Sequence, residues 1–540
     1  MSTRQFGARV KRNADPELLR GEGCFTDDIP LHGALHAAFV RSPFARAKIL
    51  EIDVTEAVEL EGVIAVYTCD DIGHLDQELP LLIPHDCMTD ARTARPLARD
   101  DVYYVGQPVV MVVAINRYIA EDALLLIDVD YDPLEVEMGL EAAAMDGAPL
   151  VHDTHPNNVA ADLTQISGDP SAAMKDAEHV TRITVRVDRS TASAIEARAV
   201  AAQFDHVSGQ LTVWDGTQAP LAVRGGIASL FGLDEDKVRV IAPNVGGGFG
   251  QKIMFPHSDE VLVPLAAMTL GRPVKYIEDR RENFIGSNQE RTQIHHMELF
   301  AKKTGEIIAL RDNFLHDTGA FIPYGIAVPQ VASTSIAGPY RIPNIEVSFK
   351  AIYTPATPVS PYRGCGRPHA CFAIERAIDQ LADDLGMDRM EIRRINLIAD
   401  DEFPYERDGL IFADGLKVIQ DSGQYTKALE MVRAEIGWDG FAEKQKVAQA
   451  EGRYLGMGLA FYVEGTGLGP YEGGHIKIHP ITGKAYVNTG LTSQGQGHET
   501  VFAQIVSDQL GIAVEDVIVV EGDSGAFDWG VATFASRAAV

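Results

Sequence analysis

The stretch VRVIAPNVGGGFGQK, Val238 to Lys252, limits most strongly what this chain can fold into. Val238, Val240, Ile241 and Val245 supply an apolar strand pattern that runs into Gly246, Gly247, Gly248 and Gly250, interrupted only by Phe249. A glycine run after a strand lets main-chain N–H groups approach a ligand and reaches positive φ angles that a side chain disfavours. HSDEVLVPLAAMTLG, His257 to Gly271, then reads as a helix with Asp259 and Glu260 near its start and Gly271 and Pro273 marking its end. A dinucleotide fingerprint would need a third glycine where Gln251 stands, which argues against NAD at this loop. A P-loop would need glycine at 251 followed by Lys-Ser or Lys-Thr, where the chain has Lys252-Ile253. A glycine-rich turn that merely packs tightly is the plain alternative. Other stretches have to decide.

The charge balance removes one class of partner. The 77 acidic against 47 basic residues leave a net charge of −30, whereas neutralising nucleic-acid phosphates needs clustered Lys and Arg. With 46% hydrophobic and 23% charged residues, the 540-residue chain has the composition of a globular protein, and at ~150 residues per domain it has room for several. No apolar run approaches the ~20 residues of a membrane span, and the start MSTRQFGARVKRNADPELL lacks an apolar signal core, so a cytoplasmic protein is expected. Cys24, Cys69, Cys87, Cys365 and Cys371 are widely spaced without a CxxC pair. That spacing argues against a disulfide framework and against an iron–sulfur or structural zinc site of the usual pattern within the chain.

The element pattern predicts an α+β fold. From Gly21 to about Val136 short strands dominate (ALHAAFVRS, AKILEIDV, GVIAVYTCDDI, DVYYVGQPVVMVVA), with RYIAEDALLLI as a helix, giving an N-terminal α+β domain over 1–140. The polar stretch from Glu141 to Pro170 reads as an irregular surface connector within a linker over 141–175. Two further units are expected over 176–410 and 411–540. Leu211–Ile241 and Ala485–Val520 share an order of strand, polar turn bearing Gln, helix, Leu/Phe-Gly, acidic residue and β-branched strand, which predicts two related halves facing a common ligand.

Two more turns carry candidate chemistry. Gln494-Gly495-Gln496-Gly497-His498-Glu499-Thr500 leads into a helix, and amides with bare N–H groups at a helix N-terminus suit an anion, against the plain reading of a helix cap. His498 has no second histidine four residues on, so a hydrogen-bonding role is expected rather than metal ligation. His295 and His296 are adjacent in a strand pattern and point to opposite faces. In PYRGCGRPHA, Arg363, Gly364, Gly366 and Arg367 surround Cys365 ahead of an amphipathic helix. Nearby guanidinium groups would lower the thiol pKa, but no His and acid are arranged in sequence for a triad, so Cys365 is expected to line a pocket.

GGGFGQK, PYRGCGRPHA, QGQGHET and the terminal VATFASRAAV follow the order found in the molybdenum-binding large subunit of the xanthine oxidase family of molybdenum hydroxylases, and DPELLRGEGCFTDDIPLHGALHAAFVRSPFARAKI resembles that subunit's N-terminal domain. The resemblance spans essentially the whole chain, and within the family the chain looks like the bacterial branch that includes carbon monoxide dehydrogenase-like, aldehyde and N-heteroaromatic enzymes. It implies an N-terminal α/β hammerhead-like domain followed by a molybdopterin-binding region of two related α/β halves, the second incomplete. It places Gly247, Gly248, Phe249, Gly250, Arg363, Gly495, Gln496, Gly497, Ala535 and Ser536 at the cofactor, with main chain of Phe249, Gly250, Arg363 and Ala535 near molybdenum and no side-chain ligand. Ile253, Cys365, Leu459, Ala460 and Phe461 would line the substrate pocket. Ile253 stands where purine-oxidising relatives carry a glutamate, and Gly364 where carbon monoxide enzymes carry their cysteine, so an aldehyde or N-heteroaromatic substrate is expected, hydroxylated with oxygen from water. The resemblance further implies molybdopterin in its cytosine dinucleotide form, [2Fe-2S] and FAD on partner chains, and a general-base glutamate beyond Val540 on a polypeptide carrying the remaining C-terminal portion. The rival expectation is a cofactor-binding or assembly protein that keeps the fold without the chemistry.

Overall fold

Two large sheets organise the chain in the computed structural model, which describes residues 4–253, 256–467, 469 and 471–540. The first has seven strands in the order Val238–Ile241, Gln210–Asp215, Ala199–Asp205, Val274–Ile277, Leu35–Arg41, Pro108–Ala114, Val63–Tyr67. PVVMVVA at 108–114 is buried at every position, the pattern of a strand covered on both faces. Leu35 pairs in parallel with Val274, so strands from the N-terminal stretch and strands flanking the glycine loop form one continuous sheet. Helix Ser258–Leu270 packs on Ala199–Asp205 and Val274–Ile277, ending at Gly271 with φ 61°, as its sequence predicts.

The second sheet has the order Val159–Ser167, Ile345–Tyr353, Ile307–Gly319, Gln293–Ala301, His179–Val187. Helix Arg367–Leu385 lies across its last two strands, and Phe314, Phe349, Ile374, Ile378 and Leu381 fill the core between them. His295 faces inward and its Nδ1 lies 2.7 Å from Asp312 Oδ2; His296 is exposed on the other face beside Thr184 Oγ1 at 3.1 Å. The opposite-face expectation holds.

The connector expectation does not. Val159–Ser167 is a nine-residue strand paired antiparallel to Ile345–Tyr353, not irregular chain. Its inward positions include Ala161, Gln165 and Ser167, too small or too polar to print an apolar alternation. Gln165 is buried because both ends of its amide are used: Nε2 reaches Ser333 Oγ at 3.3 Å, and Oε1 accepts from Ile411 N at 2.7 Å.

The duplication is present in three dimensions. Gln210–Asp215, helix Pro220–Phe231, a 3-10 turn at Glu235–Lys237 and Val238–Ile241 are matched by Ala485–Thr489, helix His498–Leu510, a turn at Val514–Asp516 and Val517–Val520. In each unit the two strands are parallel neighbours, and the helix ends on a left-handed glycine, Gly232 or Gly511. The units are stitched main chain to main chain: Ala242 N donates to Gly522 O at 2.7 Å, and Ser524 N to Val240 O at 2.9 Å. The N-terminal arm crosses to the second unit, where Asn13 N donates to Thr500 Oγ1 at 2.9 Å.

Under the helical layer a fully buried Arg393 holds three parts together. It pairs with Glu375 at 2.8 Å and Asp379 at 2.9 Å, and donates to the carbonyl of Leu459 at 3.2 Å. Removing one member of a buried ion cluster leaves the rest uncompensated. Arg393→Met is therefore expected to lower unfolding stability by about 3–5 kcal/mol, read as a drop in the denaturant midpoint; an unchanged midpoint would contradict a structural role for the cluster.

Candidate functional site

Packing and presentation share the glycine loop. A Cβ on Gly246 would lie 2.4 Å from Glu196 Cβ, on Gly248 2.5 Å from Gln218 Oε1, and on Gly250 1.8 Å from the Pro361 carbonyl oxygen. These glycines are bare because protein atoms already stand there. Gly247 and Gly250 also have φ of 101° and 107°, and the turn between them puts Phe249 at φ 56° with 40% of its surface exposed. Ile253 is buried behind the loop, its carbonyl accepting from the Tyr324 hydroxyl.

One side chain joins this loop to the end of the second unit. Gln218 Oε1 accepts from Gly250 N at 2.7 Å while Nε2 donates to Thr533 O at 2.9 Å. Its main chain repeats the bridge, donating to Lys252 O at 2.8 Å and accepting from Thr533 N at 3.0 Å. Beside it Glu196 Oε2 receives both Gly246 N at 2.8 Å and the buried Lys252 ammonium at 2.7 Å. Sequence reasoning did not single out Gln218, Glu196 or Thr533 as site residues. The available signal was positional: Gln218 sits in the Gln-bearing turn of the first repeat, as Gln494 does in the second.

The arginine loop closes from the other side. Arg363 N donates to Phe249 O at 2.9 Å, and the Arg363 guanidinium lies 5.9 Å from the Phe249 ring centroid. Cys365 has φ 45°, and burial, reinforced by Glu290, pushes its thiol up to about 12 against the opposing pull of Arg367 and Arg291. That environment suppresses thiolate, in keeping with a lining rather than a nucleophilic residue. Glu464 pairs with Arg367 at 3.4 Å on the same side. Leu459 and Phe461 turn toward the helical layer, where the Phe461 ring meets Tyr425 at 5.7 Å, and Ala460 between them is exposed.

In the second unit Gly495 has φ 109° and nothing within 4 Å of where a Cβ would stand, so here the bare backbone faces open space. Gln496 Nε2 donates to Gln494 Oε1 at 2.8 Å, and Gly497, at φ 80°, caps helix His498–Leu510. His498 Nδ1 lies 2.9 Å from Glu521 Oε2, the hydrogen-bonding role its spacing predicts. Ala535 and Ser536 both stand at φ 50°. Of the seven non-glycine residues at positive φ among the described residues, Phe249, Arg291, Cys365, Ala535 and Ser536 belong to these loops or to the segment beneath them. Strain concentrated this way marks a site held by its surroundings.

The arrangement fits a cofactor bound largely by main chain. Gly495 leaves room for a planar group, the helix start offers N–H groups to an anion, and the buried Thr492 Oγ1 lacks a partner. Among the described residues no group of three or more His, Cys, Asp and Glu is placed to hold a metal directly.

Comparison with known proteins agrees with this reading. Molybdopterin cofactor-binding domains match residues 151–397 and 431–540, and the α/β hammerhead domain of aldehyde oxidase and xanthine dehydrogenase matches 20–135. The chain is 34% identical to the nicotine 6-hydroxylase large subunit of Paenarthrobacter nicotinovorans over 99% of its own length and 66% of that protein. It is 33% identical to the carbon monoxide dehydrogenase large chain of Afipia carboxidovorans over 98% of its own length and 68% of the relative. The structure of quinoline 2-oxidoreductase from Pseudomonas putida 86 superposes with a TM-score of 0.93 at 34% identity, covering 100% of this chain and 69% of that one. The chain thus spans about two thirds of the length of the curated relatives it matches. No described helix is long and apolar enough to cross a membrane.

Two outcomes are expected. Gln218→Ala leaves the Gly250 N–H and Thr533 carbonyl unpaired, costing about 1–3 kcal/mol per buried group; it should lower the melting midpoint and the retained cofactor together, and wild-type values for both would contradict the bridge. Burial raises Glu290 from its ordinary 4.5 to about 8, so the folded state holds its proton more tightly than the unfolded chain. This contribution is intact below the unfolded value and is lost as pH rises through the folded one, by up to about 1.4 kcal/mol per pH unit. Denaturant midpoints of wild type and Glu290→Gln should diverge, the variant gaining relative stability, between about pH 5 and pH 8; parallel pH profiles would contradict it.

Proposed function

Because the chain belongs to the molybdopterin-binding large subunits of the xanthine oxidase family of molybdenum hydroxylases, we propose that it is the catalytic component of a heteromeric hydroxylase that oxidises an N-heteroaromatic C–H, with an aldehyde as the second substrate class, taking oxygen from water. The observation that carries this reading is the Gln218 bridge between Gly250 and Thr533, with Arg363 N on Phe249 O beside it, which brings main chain from both halves to one place. Gly495, Gln496 and Gly497 would hold the pterin, with the helix that follows facing its phosphate. Gly247, Gly248, Phe249, Gly250, Arg363, Ala535 and Ser536 would wrap the metal end. When bound, the molybdenum centre supplies the two-electron oxidation and the activated oxygen.

The chain's own residues orient and shield. The exposed Phe249 ring beneath the Arg363 guanidinium offers a flat wall to a heteroaromatic ring, favouring that class over a small aldehyde. The nicotine and quinoline specificities in the names of two relatives point the same way. Ile253, which is buried, would offer no polar partner to a purine at the position the family resemblance gives it. Cys365, with its proton held, fits a pocket wall, whereas Leu459 and Phe461 pack toward the helical layer and only the exposed Ala460 is left free to line it.

The remaining third of the relatives' fold has a natural place to dock. Strand Gly474–Ile478 is exposed along its whole length, leaving Ile476 and Ile478 47% and 48% exposed. We assign the part of the relatives' fold that this chain does not span to this face, and the general-base glutamate to that part. The cofactor is proposed in its cytosine dinucleotide form, electrons leave through [2Fe-2S] and FAD subunits, and the complex is placed in the cytoplasm.

The test is elemental analysis of the natively purified complex with a panel of heteroaromatic and aldehyde substrates. Near-stoichiometric molybdenum, co-purifying iron and flavin chains, and turnover fastest on a heteroaromatic are expected. A fully assembled complex without molybdenum would overturn the catalytic reading.

A further inference from the structure

Beneath the arginine loop runs a segment that no site motif includes. Gln289 N donates to Pro358 O at 3.1 Å and Ser360 N to Gln289 O at 3.0 Å, so 289 and 358–360 form a main-chain seam. Glu290 is tied on its other side to Ser190, donating to Ser190 O at 3.0 Å and accepting from Ser190 N at 2.8 Å. The segment is therefore anchored to two neighbours before its side chains are considered.

Arg291 takes hold of the loop through two of its carbonyls, and Glu290 pairs with Arg291. Arg291 Nη2 donates to Arg363 O at 2.6 Å and to Tyr362 O at 3.3 Å, and its guanidinium stacks on the Tyr362 ring at 4.6 Å. The Glu290 carboxyl is fully buried and lies 3.2 Å from Arg291 Nη1, so it backs the guanidinium from the side away from the loop carbonyls. Arg291 reaches this position at φ 92°, a conformation that a bulky residue disfavours and that persists only where the surroundings enforce it. The loop so gripped has Arg363 N on Phe249 O at 2.9 Å, while Pro361 O fills the space a Cβ on Gly250 would take.

We propose that Glu290 and Arg291 form a positioning clamp that fixes the Tyr362–Gly366 loop against Phe249 and so sets the geometry of the molybdenum end of the site. The inference rests on the proposed function for what the loop borders, and on the contacts alone for the clamp. A lysine at 291 keeps the charge but not the planar fork that reaches two carbonyls while stacking on an aromatic ring. A reacting group displaced by about 1 Å can cost roughly 10²-fold in rate.

The experiment compares wild type, Arg291→Lys and Glu290→Leu in the assembled complex by amide hydrogen exchange of the 358–366 peptide, molybdenum content, the molybdenum(V) EPR line shape and steady-state kinetics. For Arg291→Lys the expected result is faster exchange in that peptide, near-normal molybdenum, a changed EPR line shape and a kcat reduced roughly 10²-fold with KM moved far less. Glu290→Leu should accelerate the same exchange. Wild-type exchange in both variants overturns the clamp whether or not the complex holds molybdenum. Accelerated exchange with unchanged kcat and line shape overturns its link to the metal end. Wild-type protein without molybdenum would defeat the proposed function instead, leaving the exchange result to decide the clamp.

Discussion

The Gln218 amide is the contact on which the site depends. A primary amide accepts through its oxygen and donates through its nitrogen, so one side chain can join a main-chain N–H to a main-chain carbonyl. Here those groups are Gly250 N and Thr533 O, separated by 283 residues but adjacent across the two repeated units. Without such a bridge, a loop shaped by three tightly abutted glycines and a strained terminal segment would have no shared reference. With it, Phe249 and the 533–536 turn are held in one frame.

The fold supplies that frame by duplication. Each half is a parallel strand pair crossed by one helix, and the main-chain stitches at Ala242–Gly522 and Val240–Ser524 bring the loops that follow the strands to a common edge. Crevices outside the carboxyl ends of parallel strands are where open α/β units place ligands. The arginine loop comes from a different layer, ahead of the long helix on the five-stranded sheet, and is fastened from beneath by Arg291. Three sources of chain therefore meet at one site, each anchored by polar contacts to main chain rather than by apolar packing alone.

Much of this is legible in the sequence because glycine and repeat order are strong signals. The glycine turn, helix 258–270 and the matching order of the two halves follow from spacing. The histidines at 295, 296 and 498 also take the roles their spacing implies. The missed elements share a physical cause. Strand 159–167 turns Ala161, Gln165 and Ser167 inward, so its burial leaves no apolar alternation. Gln218, Glu196 and Arg291 act through hydrogen bonds to distant main chain, and the partner of such a bond has no signature near the donor. The glycine run is the instructive case: its bareness reads as room for a ligand, whereas Gly246, Gly248 and Gly250 make room for Glu196, Gln218 and Pro361, and the open space lies at Gly495.

The central claim is that main chain from both halves surrounds one molybdenum atom. Anomalous diffraction at the molybdenum absorption edge, from crystals of the native complex, tests it most directly. A single anomalous peak is expected in the space bordered by the main chain of Phe249, Gly250, Arg363 and Ala535. A peak bound elsewhere on the chain, or none there in molybdenum-replete crystals, would contradict it.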